Sequence, residues 1–274
     1  MIGVDDIREG ARTLGLAGRP ICVHSSYRSF GGVEGGPLAV VTGLLAEGCT
    51  VMVPAFASFF VSPPIDARFR PPRNGWSYDS PPELGRHEGR VYTPDTTEID
   101  TDEMGAIPTA VVNMPARARG NHPLCSFAAV GSLAQRLIAP QAPLNVYAPL
   151  DALVAENGAV LLMGVDFTNM TLFHLAEKAA GRTLFRRWAK GPDGTPMMVE
   201  AGGCSGGFGA FGSALNDLVR ETHVGASRWW ALPARETLTR AAEAIRSNPM
   251  VTHCGRNACD RCNDAVAGGP ILTG

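Results

Sequence analysis

The feature that most constrains the fold is a pair of apolar runs separated by a glycine-rich loop, within residues 19–55. The first run, RPICVHSS (19–26), ends in small polar residues, and the second, CTVMVPA (49–55), is rich in β-branched residues. The segment between them predicts a helix, because Pro37 suits a first helical turn. A strand, a helix and a second strand within this length favour a βαβ crossover with parallel strands. We therefore expect an α/β fold.

The rest of the chain supports this fold class. Its periodicity predicts a helix over 104–115, a strand over 159–165, a following helix that ends at Gly181, strands within 183–200 and an amphipathic helix over 234–247. Residues 56–102 show little periodicity, and an irregular stretch of that length is usually functional. We expect a central mixed β-sheet flanked by helices on both faces. The expected organisation is a single domain over residues 1–274 with a Cys-rich C-terminal tail at about 250–265.

Composition argues against two classes of partner. The 274 residues include 24 Lys+Arg and 26 Asp+Glu, so a formal net charge of −2 provides no basic field for a nucleic-acid backbone. No apolar run reaches the ~20 residues that a membrane span requires, and the first residues do not resemble a secretory signal. We expect a cytoplasmic protein that binds neither nucleic acid nor a membrane. The oligomeric state is left open.

The loop between the first strand and helix is a candidate anion site. It contains four glycines, Gly31, Gly32, Gly35 and Gly36, and opens directly into the helix. Backbone N–H groups at a helix N-terminus are unpaired, and the helix dipole favours an anion such as a pyrophosphate. The spacing matches neither GxxxxGK[ST] nor GxGxxG. A glycine-rich turn without a ligand is the alternative.

Thr171, His174 and Glu177 form a second candidate site. A helix advances about 100° per residue, so positions three apart share one face. The three side chains follow the strand at 159–165, at the sheet edge where ligands of open α/β proteins bind. A histidine beside a carboxylate can act as a general base. A purely structural His–Glu pair is the alternative.

The third candidate is an acidic stretch over residues 88–103, in which six acids accompany the single Arg90. The acids are Glu88, Asp95, Glu98, Asp100, Asp102 and Glu103. Clustered carboxylates concentrate cationic amines electrostatically, which suits the wall of an acceptor pocket. A solvated loop is the alternative.

Residues 121–131 form a fourth candidate. His122 precedes a proline and is therefore expected on extended backbone, before a helix that Ser126 would cap. A structural turn is the alternative.

The seven cysteines are unevenly distributed. Cys22, Cys49 and Cys125 lie in apolar segments, as core cysteines do. Three others lie in the last 21 residues, and one lies in the segment GGCSGGF. In a cytosolic protein such clustering favours a metal over disulfides.

Five motifs resemble, in their order, the aminoglycoside 3-N-acetyltransferases, the antibiotic acetyltransferase family that is distinct from the GNAT superfamily. They are HSSYRS (24–29), MGAIP (104–108), HPLCSFAAVG (122–131), LLMGVDFTN (161–169) and TLFHLAE (171–177). The resemblance extends from about residue 8 to 262. It implies an antibiotic N-acetyltransferase-like fold and acetyl-CoA as the acetyl donor. The implied acceptor is a primary amine of an aminoglycoside, in particular its 3-amino group, so the implied role is antibiotic resistance.

The resemblance also implies roles for individual residues. The catalytic histidine of the family falls on His174, and Glu177 and Thr171 complete the TxxHxAE motif. The segments that contact acetyl-CoA fall on His24, Ser25, Ser26, Arg28, Gly31, Gly32, Gly35, Gly36, Ile107, His122, Ser126 and Phe127. The acids predicted to bind the cationic acceptor are Asp95, Asp100, Asp102, Glu103 and Asp166.

Two departures from the family pattern leave the acceptor open. Thr109 stands where many members have glutamate, and the run PPIDARFRPPRNG (63–75) is unusually rich in proline and arginine. Both fall where the acceptor would bind, so a different amine, such as a biosynthetic intermediate, is an alternative acceptor. A covalent acyl-enzyme on Cys125 is disfavoured, because this thiol lies beside no obvious base.

The tail resembles that of some family members, which carry a cysteine in the segment matching GGCSGGF and end in a CxxC-type tail. The resemblance implies a structural zinc ion held by four thiolates in a closed tetrahedral site. The ligands would be Cys204, Cys254, Cys259 and Cys262, with His253 as an alternative to Cys254. Ordinary free thiols are the other interpretation. From a different functional class, a non-catalytic zinc-stapled binding protein is also an alternative.

Overall fold

The computed structural model of the protein describes residues 1–62, 70–78 and 90–272. The helices are α1 (Val4–Thr13), α2 (Gly36–Ala46), α3 (Thr101–Met104), α4 (Ala106–Val112), α5 (Ala134–Ile138), α6 (Ala148–Ala155), α7 (Leu172–Ala179), α8 (Gly212–Leu215), α9 (Ala234–Ser247) and α10 (Asp260–Val266). The strands are β1 (Pro20–Ser25), β2 (Thr50–Pro54), β3 (Ala118–Arg119), β4 (Phe127–Val130), β5 (Ala159–Met163), β6 (Phe185–Lys190), β7 (Pro196–Ala201), β8 (Arg220–Val224) and β9 (Ser227–Pro233).

The central sheet is mixed, as predicted. Within the described residues it has seven strands in the order β3-β4-β2-β1-β5-β9-β8, and β6 and β7 form a separate two-stranded sheet. β1 runs parallel to β2 and to β5, and the other neighbouring pairs are antiparallel. The predicted βαβ unit is therefore confirmed as β1, α2 and β2.

Helices cover both faces of this sheet, which was also predicted. Alternate strand residues point to opposite faces, so Ile21 and Val23 pack in a core with α1, α2 and α4, whereas Cys22 packs in a core with α6, α7 and α9. β1 is buried from Pro20 to His24, which accounts for its apolar run, and only Ser25 at its end is half-buried.

The central strands β1 and β5 place the connecting loops at one edge of the sheet. β1 leads through a 3-10 turn (Tyr27–Phe30) to α2, and β5 leads through another (Phe167–Asn169) to α7. The two loops approach closely at Gly164, where a Cβ atom would lie 2.1 Å from the Ser29 Oγ and where φ is +66°. Only glycine meets both conditions. Because α2 and α7 lie on opposite faces of the sheet, the two connections diverge, and such a divergence leaves a cleft at this edge.

Two local predictions were wrong. The helix predicted over 104–115 is interrupted at Gly105, whose φ of +83° separates α3 from α4. The helix predicted after Ser126 is instead β4, paired antiparallel with β2. Tertiary pairing overrides helix propensity there, and the Ser126 Oγ donates a hydrogen bond to the Ala55 carbonyl (2.8 Å) in place of capping a helix.

Other boundaries agree with the sequence. α2 has proline in its first turn, α9 covers the predicted 234–247, and the chain turns at Gly181 after α7. In the part of the chain that the structure describes, no helix has both the length and the apolar character needed to cross a membrane.

Candidate active site

A cavity of about 380 Å³ opens at the carboxyl ends of β1 and β2, beside the loop that follows β5. Its wall is formed by the ends of β1 and β2, by α3 and α4, by residues 168–171 and the start of α7, and by the segment around residues 202–205. His174 and Thr171 both line it, which confirms that the two share a face at this edge. The cavity thus lies where ligands bind in open α/β sheets.

His174 is held by a carboxylate and leaves one ring nitrogen free for chemistry. Its Nδ1 lies 2.8 Å from the Glu177 Oε2 within α7. Because an ionised carboxylate only accepts hydrogen bonds, Nδ1 carries the proton in the neutral ring and Nε2 bears the lone pair. Nε2 makes no hydrogen bond with any residue that the structure describes. The arrangement can therefore accept a proton from a group in the cavity.

Close packing fixes the plane of the imidazole. The Tyr147 ring stacks on it, with centroids 5.9 Å apart and planes 11° apart, and Phe208 contacts it edge-on at 4.9 Å. Gly202 lies against the same ring, since a Cβ atom there would be 2.8 Å from the His174 Cδ2 and 2.3 Å from the Tyr147 Oη. Burial raises the pKa of Tyr147 well above its usual range, so the phenol stays neutral.

Two further polar side chains from β1 line the cavity. The Ser25 Oγ is buried and has no hydrogen-bond partner among the described residues, so it is available to a ligand. Burial lowers the pKa of His24 to about 4, so this ring is neutral at physiological pH. His24 has no carboxylate partner among the described residues, in contrast to His174.

Of the predicted acceptor-binding acids, only Glu103 lines this cavity in the described chain. The Asp100 Oδ2 accepts a hydrogen bond from the Ser58 amide (2.7 Å), and the Asp166 Oδ1 accepts one from the Thr168 amide (2.9 Å). These two carboxylates hold loops in place, including the turn that brings Thr168 to the cavity wall. Glu88 lies outside the described residues.

The other two acids, Asp95 and Asp102, are exposed and do not line this cavity. For them, and for Asp100 and Asp166, direct contact with an acceptor stays a prediction.

A second, more open cavity of about 530 Å³ lies on the other side of the α3–α4 segment. It runs from the N-terminal end of α2, at Gly35 and Pro37, to the start of α4 at Gly105 and Ala106. Its lining is mostly apolar, and the exposed Leu38 forms part of it. The apolar groove suits an aliphatic part of a ligand, and the positive end of the α2 dipole favours a phosphate beside it. The Gly36 amide itself donates to the Val33 carbonyl (3.1 Å), and Pro37 has no N–H.

The structure brings the four predicted cysteines together. The sulfur atoms of Cys204, Cys254, Cys259 and Cys262 all lie within 4.8 Å of one another. Backbone and side-chain hydrogen bonds from Arg256 lower the pKa of Cys254 to about 6, whereas burial raises the pKa of Cys262 above its usual range.

The alternative ligand, His253, does not join the cysteines. Its ring nitrogens contact the Asn263 Oδ1 (3.0 Å) and the Gly255 amide (3.0 Å). Of the two candidates at this position, the structure therefore places Cys254 in the cluster.

Comparison with known proteins identifies the family. A family model described as aminoglycoside 3-N-acetyltransferase matches residues 22–246. The chain belongs to the aminoglycoside 3-N-acetyltransferase family.

Individual relatives agree with this assignment. The protein is 35% identical over 203 residues to the SPbeta prophage-derived aminoglycoside N(3')-acetyltransferase-like protein YokD of Bacillus subtilis, covering 71% of this chain and 70% of that one. It is 35% identical over 182 residues to aminoglycoside N(3)-acetyltransferase IX of Micromonospora chalcea, covering 64% of this chain. That match spans 61% of the Micromonospora protein's length.

A solved structure shares the fold over almost the whole chain. It is the apoenzyme of aminoglycoside acetyltransferase AAC(3)-IVa, with a TM-score of 0.78, 23% identity and 97% coverage of both chains. At this identity the likeness establishes the fold, and it confirms the predicted acetyltransferase-like α/β architecture.

The positions that match the family's acetyl-CoA segments fall into three groups. His24 and Ser25 line the first cavity, and Gly35 lines the second. The remaining loop positions, Ser26, Arg28, Gly31, Gly32 and Gly36, lie between β1 and α2, and Arg28 is exposed.

The third group is buried in the protein. It comprises Ile107, His122, Ser126 and Phe127, none of which lines either cavity. The His122 ring is fully enclosed, since its Nε2 donates to the Glu200 carbonyl (2.9 Å) and its Nδ1 accepts from the Cys125 amide (2.9 Å). Burial lowers its pKa to about 4. Cofactor contact for this group stays a prediction.

The sequence did not single out several residues of the site. Phe56, Tyr147, Gly202 and Ser205 line the cavity from segments far apart in the chain. Their local patterns carry no chemical signal, and only the fold brings them to His174. Cys125 also lines the cavity, but burial raises the pKa of its thiol to about 12. A thiol in that state is a poor nucleophile, which agrees with the disfavoured acyl-enzyme.

Proposed function

We propose that this protein transfers the acetyl group of acetyl-CoA to a primary amine of an aminoglycoside, in particular the 3-amino group, and thereby gives antibiotic resistance. The observation that carries the proposal is the His174–Glu177 pair, whose unengaged Nε2 belongs to a residue that lines the cavity. Membership of the aminoglycoside 3-N-acetyltransferase family supports the same reaction.

The reaction follows from the properties of the pair. Nε2 of His174 takes a proton from the acceptor ammonium, and the ionised Glu177 stabilises the imidazolium that forms. The free amine attacks the thioester carbonyl, so that a C–N bond forms and the C–S bond breaks. After the C–N bond forms, the nitrogen loses its second proton and the departing CoA thiolate takes up a proton, so that the products are the amide and the CoA thiol. The imidazolium of His174 then releases its proton to solvent. Thr171 and the unpartnered Ser25 hydroxyl are donors in the same cavity for the oxyanion or the departing sulfur.

The second cavity and the loop before α2 suit the donor. The exposed Arg28 provides donors for phosphates near the positive end of the α2 dipole, while the apolar groove along α2 and α4 suits an aliphatic chain. Both cavities contact the α3–α4 segment, so the proposed donor groove lies next to the cavity that His174 lines.

Glu103 supports a cationic acceptor. Its carboxylate is the one acidic group among the residues that line the first cavity in the described chain. A negative charge at the rim attracts a polyamine and disfavours an anionic acceptor. We also propose a cytoplasmic location, where acetyl-CoA is available and thiols stay reduced.

A steady-state acetyl-transfer assay tests the function. The enzyme is incubated with acetyl-CoA and a panel of aminoglycosides and simpler amines, with release of the CoA thiol as the readout and mass spectrometry of the product. We expect turnover with at least one aminoglycoside and a large loss of turnover in the variant His174→Ala. Turnover only with other amines would support the alternative acceptor. No turnover with any amine, together with binding of one, would favour a non-catalytic binding protein.

We propose that the cysteine cluster holds a structural zinc ion. In a tetrahedral site with Zn–S distances of about 2.3 Å, the sulfurs are about 3.8 Å apart, which small side-chain movements reach from the observed spacing. Gly206 adds support, since a Cβ there would lie 3.0 Å from the Cys254 Cβ and 3.5 Å from the Cys204 Sγ. Four thiolates leave no open coordination position, so the ion would supply stability and no chemistry.

Elemental analysis of the purified protein tests the metal. We expect about one equivalent of zinc per chain, as one tetrathiolate site requires. Metal-free protein with full thermal stability would end this proposal.

A further inference from the structure

Glu177 has a second partner besides His174. The Arg182 guanidinium lies 2.7 Å from the Glu177 Oε1, while Oε2 contacts the imidazole. Both side chains of this ion pair are almost fully buried, at 6% and 7% exposure. Each oxygen of one carboxylate is therefore assigned to a different partner, which fixes its plane as a single contact would not.

The end of α7 explains why Arg182 reaches Glu177. The Gly181 amide donates to the Lys178 carbonyl (3.0 Å), and the Arg182 amide donates to the Glu177 carbonyl (3.0 Å). These two bonds, with φ of +98° at Gly181, define a Schellman motif. The motif brings the second residue after the helix cap back to the helix residue that carries the carboxylate. A hydrophobic contact usually occupies this position, and here it is an ion pair.

Arg182 also joins α7 to the turn that precedes the cysteine cluster. Its Nη1 donates to the Thr252 Oγ1 (2.8 Å), and its Nη2 donates to the Pro249 carbonyl (2.6 Å). The guanidinium is thus held on two sides by groups outside the cavity. Arg182 itself lines neither cavity, so it acts on a bound acceptor only through Glu177.

We propose that Arg182 is a positioning residue for the acetyl transfer, which orients Glu177 and through it the Nδ1–H of His174. The inference rests on the proposed function. Without the guanidinium, one oxygen of a buried carboxylate loses its partner, and the carboxylate is free to rotate. The imidazole then loses the acceptor that sets its tautomer and orientation.

Arg182→Gln tests the proposal. We expect kcat to fall about 10- to 100-fold, the effect of a small misplacement of a reacting group. The KM values for acetyl-CoA and for the acceptor should change little, since Arg182 lies outside both cavities. Arg182→Lys keeps the buried positive charge but lacks the planar guanidinium, so its kcat should fall less than that of Arg182→Gln. If Arg182→Gln fails to fold, the kcat of Arg182→Lys tests the proposal in its place.

Two comparisons separate positioning from a general structural role. Thr252→Val removes the other side-chain contact of Arg182 and leaves Glu177 untouched, so kcat should stay near the wild-type value. In a double-mutant cycle, Arg182→Gln should add little to the loss caused by Glu177→Gln, because Arg182 acts through that carboxylate. Additive losses, or equal losses for Thr252→Val and Arg182→Gln, would overturn the proposal.

A readout that needs no turnover distinguishes failure of this proposal from failure of the proposed function. The Nδ1–H of His174, hydrogen-bonded to a carboxylate, gives a low-field proton signal in NMR, which His174→Ala assigns by its loss. We expect Arg182→Gln to broaden or move this signal and Thr252→Val to preserve it. An unchanged signal in Arg182→Gln refutes the positioning role, whereas an altered signal in a protein that acetylates no amine refutes only the function.

Discussion

The His174–Glu177 pair and the cysteine cluster are both compact polar centres, but they are built in opposite ways. The pair uses one ring nitrogen for its internal contact and leaves Nε2 unengaged in a residue that lines a cavity. The cluster directs four sulfur atoms toward one another within 4.8 Å. A ring nitrogen without a partner can act on a substrate. Sulfur atoms that face one another can only hold the protein's own segments together. Changes at the first centre should therefore alter rate, and changes at the second should alter stability.

One segment connects the two centres. Gly202 packs on the His174 ring, whereas Cys204, two residues later, belongs to the cluster. Further along, a Cβ at Gly207 would lie 2.3 Å from the Thr252 carbonyl oxygen, so this backbone is pressed against the C-terminal turn. Because these positions are glycines, the segment that follows β7 can pack against both the His174 ring and the cysteine cluster. Substitutions along it test whether the division between rate and stability holds.

The largest expected effect is that of His174→Ala. Loss of a positioned general base lowers kcat about 10²- to 10⁴-fold. The affinity for CoA should change little, because the proposed donor groove lies on the other side of the α3–α4 segment. Steady-state kinetics and CoA titration measure both quantities, with the exposed His223→Ala as a control. A variant with near-wild-type turnover would show that His174 is not the base.

Gly202→Ala should cause the second-largest loss of kcat. The added methyl group meets the Tyr147 hydroxyl and the imidazole of His174, so the ring must shift. A displacement approaching 1 Å costs up to about 10²-fold in kcat. Gly209→Ala is the matched control, since a Cβ there meets no atom within 4 Å. If both variants turn over equally fast, the packing of Gly202 does not set the geometry of the base.

At the cysteine cluster, Cys259→Ser should affect stability more than rate. Binding energy at a structural metal site is also folding energy. We expect Tm to fall by roughly 5–10 °C, since about 2–4 °C accompanies each kcal/mol in large domains, while kcat changes less than about threefold. His253→Gln should keep the metal, because this ring contacts Asn263 and Gly255. A larger loss in kcat than in Tm would contradict the division between the two centres.

Contacts within one helix could be predicted from the sequence, whereas contacts between distant segments could not. The i, i+3 spacing of His174 and Glu177 is local, so helix geometry alone predicted the pair and the strand before it predicted its place. The Arg182 contact depends on a Schellman turn, and the glycine before it is a visible but nonspecific signal. Tyr147, just before α6, and Gly202, just after β7, reach the imidazole only through tertiary packing, which no local pattern encodes. Ser126 shows that a local pattern can also mislead. Its position predicted a helix cap, but the residues after it form β4, paired with β2.

The smallest expected effect concerns the cavity rim, where the acidic stretch was predicted to bind the acceptor. Glu103 and the neighbouring Asp102 are both exposed, but only Glu103 lines the cavity. Glu103→Gln should raise the acceptor KM about two- to fivefold at low salt, the range expected for one exposed charge pair. The increase should shrink at high salt, because mobile ions already screen the charge. Asp102→Asn is the control and should leave KM closer to the wild-type value. Equal effects of the two substitutions would mean that the acidic stretch acts as a diffuse field, and an unchanged KM for Glu103→Gln would remove this carboxylate from the acceptor site.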